Sequence, residues 1–96
     1  MSEEQVPTAE LSRLATALDV LDERAALNHR YRRLITDSRA ALATPRIRAT
    51  QARGIAKKLM VLARAAGPGF PDDLPEPERA ALRSGLAQAD ELVFHT

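Results

Sequence analysis

The chain has 96 residues, no cysteine and a formal net charge of +1, which bounds it to one small domain and excludes disulfides, thiolate catalysis and Cys-based zinc sites. The near-neutral total conceals a block pattern: residues 1–23 carry one basic and six acidic side chains, 24–64 eleven basic and one acidic, and 65–96 two basic and six acidic. No apolar run approaches the roughly 20 residues of a bilayer span. The start, Met1-Ser2-Glu3-Glu4-Gln5, is acidic and has no apolar run behind it, unlike a secretory or transit leader, so a cytoplasmic protein with no membrane contact is expected.

Apolar residues make up 45% of the chain, but only Tyr31, Phe70 and Phe94 are aromatic, so the core must be built from Leu and Ala between close helices. Thr8 follows Pro7 and precedes helix formers, a pattern that places an N-cap at Thr8. Leu11, Leu14, Leu18, Leu21 and Ala25 then recur at spacings of three and four, one stripe of an amphipathic helix. The next apolar set, Leu27, Tyr31, Leu34, Ile35 and Leu42, points about 130° away from the first on a helical wheel. Either the helix breaks near Asn28, or it continues and its halves face different neighbours, one of them a second copy of the chain. Neither Gly nor Pro lies between Thr8 and Ala43, so a continuous helix over 8–43 is the favoured expectation.

Thr44-Pro45 ends that segment and opens the next, because Pro disfavours helix before it and suits the first helical position. Ile55, Leu59, Leu62 and Ala66 give the buried stripe of a helix over about 45–66, with Gly67 as its stop. The segment 67–76 is rich in Pro and Gly and reads as a loop, pinned to the helices by Phe70 and Leu74. A last helix over about 77–94 buries Leu82, Leu86, Ala89 and Val93, with Glu76 and Glu78 placed favourably at its N-terminus. No strand-like alternation is present. The expected fold is all-α: a single domain over 1–96, a small bundle of three helices with a long first one, or of four if that helix breaks near Asn28, completed by dimerisation through Leu27, Tyr31 and Leu34.

Arg46, Arg53, Lys57 and Arg64 fall within about 40° of one another on the wheel of the second helix. They form a cationic stripe opposite the apolar one, which Arg32 and Arg39 of the first helix could extend. Such a stripe suits an acidic protein surface or a phosphate backbone, and equally a face neutralised by the acidic flanks within the fold or across a dimer. Against nucleic acid stand the small net charge and the lack of aromatics among the cations.

Thr50-Gln51-Ala52 with Ile55-Ala56-Lys57-Lys58-Leu59 resembles the first helix of helix-turn-helix DNA readers over about ten residues. The turn that should follow the Leu is missing, since Met60-Val61-Leu62-Ala63-Arg64 continues the helix. Leu18-Asp19-Val20-Leu21-Asp22-Glu23 with Arg32 downstream is similar to the long first helix of the all-α chorismate mutases, which are three-helix dimeric enzymes. Aligned on the two aspartates, two cations that bind substrate carboxylates in that family fall on Ala15 and Ala43. The resemblance therefore implies a helical architecture and not the catalysis.

His29 and His95 have no metal-ligand partner three or four residues on. Ser12, Ser38 and Ser84 lack an arranged His and acid. The expected function is a non-enzymatic protein–protein interaction module, an adaptor, dedicated chaperone or regulator, that presents a basic helical face to an acidic protein partner and forms a homodimer. A nucleic-acid-binding protein using the same stripe is the alternative, and a small helical enzyme of chorismate-mutase-like architecture comes third. No cofactor, metal or small-molecule substrate is expected.

Overall fold

The computed structural model describes residues 4–25, 27–67, 70 and 72–94. A short strand β1 (Gln5–Pro7) leads through one 3-10 turn (Thr8–Leu11) into α1 (Ser12–Arg24) and α2 (His29–Leu42). Strand β2 (Arg46–Arg48) then opens α3 (Ala49–Ala65), and α4 (Glu76–Phe94) closes the described chain.

The continuous first helix expected over 8–43 is not formed. Ala25 is extended at φ −88° and ψ 139°, and Asn28, also extended, accepts a hydrogen bond on its side chain from the Tyr31 N–H. Asn28 thus satisfies one of the donors a new helix leaves open, and the chain folds back into a hairpin of α1 and α2. The break also resolves the 130° phase jump. Once α2 reverses, Ile35 and Leu27 enter the same core as Leu14, Leu18 and Leu21, and Tyr31 packs half-buried against it. Of the three residues expected at a dimer interface, Leu27 is core, and Tyr31 and Leu34 are half-buried. The protein is a bundle of four helices, not three, among the described residues.

The two strands were not legible in the sequence. They pair antiparallel with Val6 opposite Ile47 and Pro7 opposite Arg46. Ile47 is buried while Arg46 and Arg48 alternate outwards. Thr8 does not cap a helix with its side chain. Its hydroxyl donates to the carbonyls of Thr44 and Pro45, and its N–H donates to Pro45 O at 3.1 Å, while Ala49 N–H donates to Glu4 O at 2.9 Å. These bonds tie the N-terminal segment to the chain entering α3, so α3 starts at Ala49 rather than near Pro45.

α1 and α4 run antiparallel in close contact. Arg13 Nε donates to Ser84 Oγ at 2.8 Å, and Arg24 Nε meets Glu78 Oε2 at 2.5 Å at the other end. The hydrogen bond to Glu78, and then its charge, raise the Arg24 guanidinium above its ordinary value. The N-terminus of α1 has no side-chain cap of its own. Gln88 of α4 takes that role, accepting from Leu14 N–H and donating to Glu10 O at 2.6 Å. Gly85 sits within this seam: a Cβ there would stand 2.3 Å from Ala17 Cβ and 2.6 Å from Arg13 O. Gly67, at φ +100°, follows α3 in the left-handed conformation that stops a helix. Leu74 is buried and Phe70 half-buried against the core, which pins the described part of the 67–76 loop.

Candidate binding groove

The basic block divides into two populations with opposite surroundings. On α2, Arg39 reaches Asp19 at 2.9 Å and Asp22 at 3.4 Å, and Arg32 reaches Asp22 at 3.5 Å. Arg32 also donates to the carbonyls of Leu27 and Asp22 at 3.3 Å. The acids of the N-terminal flank therefore neutralise these two cations inside the fold. Arg32 and Arg39 hold the α1–α2 hairpin and do not extend the stripe on α3. Arg46, expected on that stripe, belongs to β2.

Arg53, Lys57 and Arg64 remain on α3 and make no ion pair among the described residues. α3 turns Ala52, Ile55, Ala56, Leu59 and Leu62 into the core. The opposite side carries Thr50, Arg53, Gly54, Lys57, Val61 and Arg64, within about 100° of one another on the wheel. This side borders the C-terminal end of α4 along a trough. Its first section is a cavity of 390 Å³ between Glu4, Val6, Ala52, Arg53 and Leu92. The second, 420 Å³, lies between Thr50, Arg53, Gly54, Lys57 and Val93, and the third, 270 Å³, between Lys57, Met60, Val61, Arg64, Val93 and Phe94. Arg53 is shared by the first two and Lys57 and Val93 by the last two, so the sections form one path. From Thr50 to Arg64 it follows α3 for about 21 Å, fourteen residues at ~1.5 Å each.

Leu92, Val93 and Met60 pack against the core and form a fixed floor. Val61 and Phe94, 51% and 68% exposed, are the exposed large apolar side chains of the described chain. Both line the last section. The cationic rim was legible in the sequence, but this apolar component was not. Its signal was Val61, an apolar residue four positions after Lys57 on the otherwise polar face of α3. Gly54, mid-helix, adds a second oddity, since a Cβ there would meet nothing within 4 Å.

Other sequence candidates are placed elsewhere. His29 is exposed at the start of α2, and His95 lies outside the described residues. Among the described residues no three His, Cys, Asp or Glu side chains gather as a metal site requires. Ser84 accepts from Arg13, and Ser38 is buried. No described helix is long and apolar enough to cross a membrane. The resemblance to chorismate mutases loses its long first helix at Ala25–Asn28, and its two aspartates bind Arg39 and Arg32. The helix-turn-helix resemblance fails because α3 runs unbroken from Ala49 to Ala65. No protein-family model, no curated protein and no solved structure matches the chain.

Proposed function

We propose that the protein is a non-enzymatic interaction module, an adaptor, dedicated chaperone or regulator, whose trough between α3 and the end of α4 receives an acidic protein partner. The observation that carries this reading is the placement of Val61 and Phe94 beside Lys57 and Arg64, with Arg53 in the adjoining section, all three cations without ion pairs among the described residues. An exposed apolar patch with cations at its edge is the anatomy of a protein interface. A small-molecule site would instead enclose its ligand with convergent polar groups.

Eight cations of residues 24–64, Arg30, Arg33, Arg46, Arg48, Arg53, Lys57, Lys58 and Arg64, make no ion pair among the described residues and favour nucleic acid as a second reading. Self-association is a third arrangement, in which the trough meets a second copy. Affinity capture from host lysate, with and without nuclease, separates them. Protein partners retained after nuclease and lost with Lys57→Glu plus Arg64→Glu support the proposal. Nuclease-sensitive capture transfers the function to nucleic acid, and capture indifferent to both charge reversals removes the trough from the function.

A further inference from the structure

Gly54 gives the trough a geometry that its charges alone do not. Glycine inside a helix costs about 1 kcal/mol relative to alanine. A chain retains it without loss where a Cβ would collide, as at Gly85. At Gly54 there is no collision, no positive φ and no neighbour within 4 Å. The residue lies in the section of the trough bounded by Arg53 and Lys57. The missing side chain leaves a notch in the wall through which another backbone can approach α3 closely.

The geometry points to an amphipathic, acidic α-helix of a partner protein as the occupant, crossing α3 at Gly54 and seating its apolar side chains on Val61, Val93 and Phe94. This deepens the proposed function and rests on it. Three features select a helix. The trough runs along α3 against the C-terminal end of α4, a setting that suits helix-in-groove recognition. Its length of about 21 Å takes some fourteen helical residues. The cations stand at spacings of four and seven, Arg53 to Lys57 to Arg64, so acids at the same spacings on the partner share one face of a helix. An extended strand, at ~3.3 Å per residue, would cover the same distances in about two and three residues, and the odd step places one acid on the opposite face.

Charge complementarity sets the partner's sign and its direction. The acids of the N-terminal flank that could neutralise a basic surface, Asp19 and Asp22, are engaged with α2. Glu4 edges the opposite end of the trough, beside Val6 and Arg53. The partner's acids therefore lie towards the Lys57 and Arg64 end, and its residue against Glu4 is neutral or basic.

A displayed library of 16-residue random peptides, selected on the full-length protein and on two folded variants, tests this. The variants are Gly54→Leu, which fills the notch without touching the core, and Arg53→Glu plus Lys57→Glu; circular dichroism confirms that each retains its helix content. Expected are peptides with acids four or seven apart beside a stripe of large apolar residues, weakened about tenfold or more by either variant. Binding that survives Gly54→Leu, or selected peptides with proline throughout, overturns the helix while leaving the acidic partner in place. Binding indifferent to the charge reversal, or no enrichment at all, overturns both. A dimer by light scattering that Gly54→Leu dissolves shows the occupant to be a second copy and overturns a separate partner.

Discussion

Gly85 of α4 and Gly54 of α3 both stand inside helices, where glycine is unfavourable by about 1 kcal/mol, yet their surroundings are opposite. At Gly85 a Cβ would overlap Ala17 Cβ and Arg13 O, whereas at Gly54 it would project into open space. The first glycine is explained within the chain, because it lets α1 and α4 approach closely enough for Arg13 to reach Ser84 and Gln88 to reach the start of α1. The second has no such contact within the described chain, and the proposed partner helix would account for it. Two identical residues, equally costly to their helices, therefore mark a seam that is closed and a trough that is open.

The largest effect is expected at the closed seam. Gly85→Ala forces α1 and α4 apart, and overpacking of this kind destabilises by about 1–3 kcal/mol, more than the gain in helix propensity returns. Urea unfolding should show a lower midpoint with little change in slope. Adding Ala17→Gly removes the nearest clash, at 2.3 Å, and leaves the one with Arg13 O at 2.6 Å, so the double variant should recover part of the loss. A Gly85→Ala protein as stable as the parent would show that the seam has slack, and the contrast with Gly54 would lapse.

Gly54→Ala should act in the reverse direction. With no clash to oppose it, the substitution adds about 1 kcal/mol from helix propensity. For a domain of this size that raises Tm by about 4–8 °C. A fall in Tm would mean that Gly54 has a role within the fold and would weaken the inference drawn from it.

The buried stripes were readable because their spacing is regular. Leu11, Leu14, Leu18 and Leu21 and, on α3, Ile55, Leu59 and Leu62 are all buried as the period of 3.6 requires, and Gly67 stops α3 where expected. The break between α1 and α2 was harder to see, because no Gly or Pro marks it. It depends on a single Asn28 side chain and on the gain from bringing Ile35 and Leu27 into one core. The phase jump was its trace, and the reversal of the chain explains it without a second copy. The strands escaped because each has three residues, too few for alternation to show. Their pairing moved Arg46 off the α3 stripe. Of the site, the cations were visible, but Phe94 joined them only through the folding of α4 onto α3.

The smallest effects separate the two populations of cations. Arg39 bridges Asp19 and Asp22 with all three side chains partly exposed, so Arg39→Gln should cost roughly 0.5–1 kcal/mol, the range of exposed ion pairs. That loss should shrink as salt screens the charges. Lys57→Gln removes a cation that has no ion-pair partner among the described residues, and its effect should stay within about 0.5 kcal/mol. Lys57 also lies within a Debye length, about 10 Å at 0.1 M salt, of like charge at Arg53 one turn away. Removing it should therefore lean towards stabilisation at low salt, whereas Arg39→Gln leans the other way. Parallel urea titrations at low and high salt give the sign for each. Equal losses for the two variants would mean that Lys57 is also engaged within the fold, and the trough would then lack the uncompensated charge that selects an acidic partner.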